Sequence, residues 1–243
     1  MRTVSHILAG FMALPETNIE TVLEGQRALI LAPHADDESL GCGGLIAAAS
    51  AAGIAPIVVI LTDGAASHPG SLAFPPERLR MVREAEAVRA TGLLGLPSIN
   101  LHFMRQRDTQ LSASGPEFEA ITATLLEIAR TQYCGLVIAP WAGDPHCDHE
   151  AAACIAEAVA RRAHLRLLSY PVWGWLRDHE DLLDEPRHHG WRLNIPAQLE
   201  VKKRAIAAYK SQYGDLIVDS PDGFRLPDTL LAIFERPFEV FIA

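Results

Sequence analysis

The chain has 243 residues, 49% of them hydrophobic, and a formal net charge of −9 from 21 basic and 30 acidic side chains. This composition suits one large or two small globular domains and argues against a disordered chain. No basic cluster occurs beyond Lys202-Lys203-Arg204, which argues against nucleic acid as a partner, and no apolar run reaches the roughly 18 residues of an integral membrane span. Cys42, Cys134, Cys147 and Cys154 form no C-x-x-C pair and no disulfide framework. In residues 1–17 a short apolar run is interrupted by His6 and Gly10, with no small-residue cleavage site after it. The expected location is therefore the reducing cytoplasm.

Strand-like and helix-like segments alternate along the first two thirds. Residues 27–33 (RALILAP) form an apolar run ended by a proline, the pattern of a buried strand. An Ala/Gly-rich helix follows over 39–52, then a β-branched strand over 55–62 and a charged helix over 77–94, closed by Gly95 and Pro97. A strand over 98–104, a helix over 116–131, a strand over 135–140, a helix over 150–164 and a strand over 165–172 complete the series. Beyond Val172 the pattern loosens, with a strand near 191–195, a helix near 197–212 and an apolar tail. Repeated β-α-β units predict an α/β fold: a Rossmann-like, mostly parallel sheet with helices on both faces, in a single domain over 1–243.

Two polar segments directly follow predicted buried strands. One is Pro33-His34-Ala35-Asp36-Asp37-Glu38; the other runs Asp144-Pro145-His146-Cys147-Asp148-His149-Glu150. A parallel sheet delivers its strand ends to one edge, so loops this far apart in sequence can meet there. Their inventory of His, Asp and His, with spare carboxylates and no thiol pair, suits a catalytic Zn²⁺ that keeps one position for water. A turn can aim His34 and Asp37 at one ion, leaving Asp36 to accept a proton. The adjacent Asp36 and Asp37 repel each other unless a cation or proton intervenes.

The P-H-A-D-D-E segment followed by L-G-C-G-G resembles the signature of the LmbE/PIG-L family of zinc-dependent N-acetylglucosaminyl deacetylases, and His146-Cys147-Asp148-His149 resembles that family's H-x-D-H. Arg83-x-x-Glu86 with Leu94-Gly95, Asp108, and the stretch from Lys203 through Tyr209-x-Ser211-Gln212 extend the resemblance over about 27–212. Ala35 and Cys147 depart from positions that are often proline. The resemblance implies one Zn²⁺ per chain, held by His34, Asp37 and His149. It implies Asp36 as general base, and His146 as oxyanion stabiliser with its ring oriented by Asp148. Arg83 and Asp108 would grip sugar hydroxyls. The implied activity is hydrolysis of an N-acetyl or other N-acyl group from a small-molecule amino-sugar substrate, with cleavage of a thiol–sugar conjugate as an alternative. The resemblance also allows a homo-oligomer, since members of the family often form them.

Plainer readings accompany these. Both Asp-rich loops can cap helices, and Arg83–Glu86 can be a solvated i,i+3 pair. Trp141 can be core or a sugar-stacking wall, and the tandem His188-His189 an adventitious metal site. A nucleotide- and Mg²⁺-dependent α/β protein and a non-catalytic metal-stabilised module are the competing classes. Against the former, Gly41, Gly43 and Gly44 lack dinucleotide-loop spacing after the strand and read as close helix–sheet packing.

Overall fold

The computed structural model describes residues 1–184, 189–214 and 216–243. Its strands are β1 (Arg2–Thr3), β2 (Glu16–Thr17), β3 (Arg27–Ala32), β4 (Ile57–Thr62), β5 (Leu101–Gln106), β6 (Cys134–Pro140), β7 (Arg166–Tyr170), β8 (Leu182–Leu183), β9 (Gly190–Asn194) and β10 (Phe238–Ile242). The α-helices are α1 (Val4–Met12), α2 (Ile19–Leu23), α3 (Asp37–Ala51), α4 (Pro76–Leu93), α5 (Gly115–Thr131), α6 (Cys147–Ala163), α7 (Leu199–Ile206), α8 (Lys210–Tyr213) and α9 (Asp228–Phe234).

One eight-stranded sheet has the order β2-β9-β10-β7-β6-β3-β4-β5. Its five strands from β7 to β5 are mutually parallel, while β10 runs antiparallel to both β7 and β9. The mostly parallel single-domain α/β sheet predicted from the alternation is the architecture observed. Strands β3 and β4 are buried on both faces, as their uninterrupted Leu, Ile and Val runs require. One face carries Ile30, Val58 and Ile138 against α3 and the C-terminal helices; the other carries Leu29, Val59 and Val137 against α5 and α6.

Several boundaries differ from the sequence pattern for identifiable reasons. Residues 98–100 form a 3₁₀ turn, and β5 starts only at Leu101. The helix expected over 197–212 breaks between α7 and α8, where Tyr209 leaves helical geometry at ψ 67°. Helix α6 starts at Cys147 instead of 150, because His146 itself serves as N-cap, its side chain accepting from the Asp148 amide. Helix α1 packs Val4, Ile7 and Phe11 onto Trp141, Val240 and Ile242.

The glycines of α3 set how closely the helix approaches its neighbours. A Cβ at Gly41 would lie 2.1 Å from the Tyr170 ring, and one at Gly44 would lie 2.6 Å from Ile195. Tyr170 is fully buried and donates to the Leu31 carbonyl, so it cannot retreat. Gly41→Ala gains under about 1 kcal/mol of helix propensity but incurs overpacking of about 1–3 kcal/mol. A net loss of stability is expected, read as a lowered midpoint in urea unfolding; an unchanged midpoint would contradict this packing.

Candidate metal centre and cleft

Strand β3 ends at Ala32 and β6 at Pro140, adjacent in the sheet, so the two polar loops emerge side by side. Loop 33–36 enters α3 directly, and loop 141–146 enters α6. The β5 end contributes Asp108 and Thr109. Together these elements floor a cleft of about 600 Å³, lined by His34, Asp36, Asp37, Arg83, Asp108 and His146 among others. That volume falls in the usual range for a small-molecule site.

Asp37 is the centre of the cluster. Its Oδ2 lies 3.2 Å from His34 Nδ1 and 3.2 Å from His149 Nε2. Both imidazoles are fixed from behind: His34 Nε2 lies 3.0 Å from Asp148 Oδ2, and His149 Nδ1 lies 2.9 Å from Asp144 Oδ2. Neutral rings that donate to these outer carboxylates turn their lone pairs onto the anionic Asp37 oxygen. Three acceptors then converge, and His149 Nε2, fully buried, makes no hydrogen bond. Something positive belongs between them. Protons on the rings can supply it: burial opposes protonation of His149, but Asp37 and Asp144 outweigh burial and raise its pKa to about 9. His34 is likewise driven well above its ordinary value by Asp108, Asp148 and Asp37, against burial. Asp37 is held far below the usual carboxylate range by the two imidazoles, although burial acts the other way. A dication satisfies the same charge balance with the same donors. Ring nitrogens of His34, His146 and His149 lie within 4.8 Å of one another, and His34, Asp108 and Asp148 form a second group of the same tightness.

Asp36 occupies the N-cap position of α3 but makes no capping bond. Its carboxylate lines the cleft and meets Arg83 Nη2 at 3.3 Å. Burial raises its pKa, the Arg83 charge pulls it back and Asp37 pushes it up again, to about 8.

The structure corrects the role expected for Asp148. Its carboxylate does not hold the His146 ring; it accepts from the Thr109 and Leu111 amides at 2.8 and 2.9 Å and meets His34. Starting α6 at Cys147 places Asp148 in the first turn, facing the loop after β5. His146, at the cleft wall, uses Nδ1 as a cap acceptor for the Asp148 amide.

Arg83 and Glu86 are both buried and do not form the solvated pair. Arg83 Nη2 donates to the Ala35 carbonyl at 2.6 Å, and Glu86 accepts from Ser211 N and Oγ. Asp108 Oδ1 lies 3.3 Å from His34 Nε2, and Oδ2 accepts from the Ala66 amide. Against burial, His34 brings the Asp108 carboxyl to about 2. Trp141 is core, edge-on to Phe11 at 5.2 Å; Trp173, edge-on to Phe224 at 5.6 Å, is the tryptophan that lines the cleft. His188 lies outside the described residues.

Asp144 stands in its loop with no role assigned from sequence. It is fully buried and accepts from Val172 N, Trp173 N and Gly174 N besides meeting His149. The available signal is an acid five residues before a candidate ligand. Glu38 and Tyr209 each fall within one of the motifs quoted above but carry no role from sequence. Glu38 Oε1 accepts from Tyr209 Oη at 2.5 Å.

The model of the PIG-L family, described as GlcNAc-PI de-N-acetylase, matches residues 29–160, more than half of the chain. The chain belongs to the PIG-L family. Its relatives include a probable N-acetyl-α-D-glucosaminyl L-malate deacetylase 2 of Bacillus anthracis, 25% identical, the match covering 89% of this chain and 95% of that one. Another is a diacetylchitobiose deacetylase of Thermococcus kodakarensis, 26% identical over 77% of this chain and 70% of the relative. Among solved structures, a conserved protein of Thermus thermophilus superposes with a TM-score of 0.63 at 26% identity, covering 90% of this chain and 94% of that one. The matched span of this PIG-L member runs from β3 to α6 and so contains both polar loops. No described helix is long and apolar enough to cross a membrane.

Proposed function

We propose that the chain is a zinc-dependent hydrolase that removes the N-acetyl group from an N-acetylglucosamine derivative. The observation that carries this reading is the convergence of His34 Nδ1 and His149 Nε2 on Asp37, with the Asp36 carboxylate in the same cleft. His34, Asp37 and His149 would hold the ion, whose Lewis acidity acidifies water and polarises an amide carbonyl. A set of two imidazoles and one carboxylate suits a catalytic zinc.

The chain's own groups supply the rest. Asp36, with its pKa raised to about 8, takes a proton from the attacking water and returns it to the departing amine. His146, bordering the cleft without a buried carboxylate partner on its ring, is placed to donate to the developing oxyanion through Nε2. Asp108 and Arg83 form the adjoining polar wall, where Asp108 offers an acceptor to a sugar hydroxyl. Among the described residues, Asp36, Asp37 and Asp108 outnumber the one lining guanidinium, Arg83, which disfavours direct phosphate binding.

The relatives named for N-acetylglucosaminyl malate and diacetylchitobiose support the substrate class. Acetate release from N-acetylglucosamine, diacetylchitobiose and N-acetylglucosaminyl malate, before and after chelation and with zinc restored, tests the reading. No turnover of any N-acyl amine by zinc-loaded protein would overturn it.

Asp144→Asn tests the support behind the metal. Four donors converge on Asp144, so the amide of Asn must face at least one of them and leave it unpaired. Zinc affinity is expected to fall about 10–100-fold, read by competition with a chromophoric chelator; an unchanged affinity would deny Asp144 this role.

A further inference from the structure

Asp36 sits at φ 133°, ψ −32°, a conformation that a residue with a Cβ keeps only when its surroundings enforce it. The Ser39 and Leu40 amides donate to its carbonyl, and two side chains hold it besides. Arg83 binds its carboxylate and the preceding carbonyl, while Glu38 Oε2 accepts from the Asp36 amide at 3.1 Å. Glu38 is fully buried, and its Oε1 accepts from Ser39 Oγ and Tyr209 Oη, each at 2.5 Å. All three partners donate to Glu38, so its hydrogen bonds are all directed inward. A first-turn acid favourable to the helix dipole needs neither burial nor a partner 171 positions away. Tyr209, fully buried, reaches Glu38 because the chain breaks between α7 and α8 at that residue.

We propose that Glu38 and Tyr209 form a positioning clamp that keeps Asp36 in its positive-φ conformation, so that its carboxylate faces the cleft. Their catalytic effect rests on the reading of Asp36 as the base. Neither residue touches the reacting atoms; both act through the Asp36 backbone. Released from Glu38, the Asp36 amide loses its acceptor and the backbone can return to negative φ, swinging the carboxylate away from the position it shares with Arg83. The break in the C-terminal helix thus has a use: a continuous helix would point Tyr209 elsewhere.

The test uses full-length Tyr209→Phe and Glu38→Gln. Tyr209→Phe removes one hydroxyl and carries the test if Glu38→Gln fails to fold. For Tyr209→Phe, kcat on an N-acetylglucosamine derivative is expected to fall about tenfold or more, with KM and bound zinc unchanged. In an Asp36→Ala background the same substitution should cost nothing further. Crystals of the variant should show Asp36 at negative φ. An Asp36 that keeps φ near 133° with full kcat would overturn the clamp. So would a loss of activity that persists in the Asp36→Ala background alongside reduced zinc content. If zinc-loaded wild-type protein turns over no N-acyl amine, the hydrolase reading fails while the Asp36 torsion in the variant still decides the clamp.

Discussion

Asp36→Asn is expected to lower kcat for N-deacetylation by about 10²–10⁴-fold, the usual contribution of a positioned base, with zinc content unchanged. The substitution keeps the size of the side chain and its contact with Arg83 but removes the site that accepts a proton. Asp36 is also the carboxylate whose burial and Asp37 neighbour raise its proton affinity, to about 8, despite Arg83. Asp37 does the opposite work: two imidazoles hold it ionised. Adjacent in sequence, the two carboxylates are driven apart in acidity by what faces each one, which is how a base and a ligand are separated within one loop. Steady-state kinetics with metal analysis of the same samples checks the prediction. Retained activity, or zinc lost together with activity, would move Asp36 out of the base role.

The second large effect is loss of the metal itself. His149→Ala or Asp37→Ala should abolish zinc binding and reduce acetate release to background. Asp37 supplies the oxygen between the two rings, and His149 supplies a buried nitrogen with no hydrogen bond. Chelation of the wild-type protein should give the same loss, restored by zinc, whereas neither variant should recover. Equilibrium dialysis against zinc distinguishes them. A variant that binds zinc as tightly as the parent would show that the ion is held elsewhere.

The sheet is legible in the sequence because β3, β4 and β6 are uninterrupted apolar runs that only a doubly covered parallel sheet accommodates. The two loops are legible because each packs imidazoles and carboxylates immediately after such a strand. Side-chain partnerships across the sheet edge are not. The family resemblance pairs Asp148 with His146, yet the N-cap geometry of α6 turns it onto His34, 114 residues away. Arg83 and Glu86 have the spacing of an exposed pair, and only tertiary packing buries them, Arg83 against Ala35, Asp36 and Gly64 and Glu86 against Ser211 of α8. The break at Tyr209 is invisible because 197–212 contains no proline or glycine; the buried carboxylate of Glu38, a tertiary partner, accompanies that break.

Zinc-edge anomalous diffraction from crystals of the zinc-loaded protein tests the central claim most directly. A single peak is expected about 2.0–2.2 Å from His34 Nδ1, one Asp37 oxygen and His149 Nε2, with Asp36 beside it and not bound to it. A peak on the other side of the His34 ring, between Asp108 and Asp148, or no peak in the cleft at all, would contradict it.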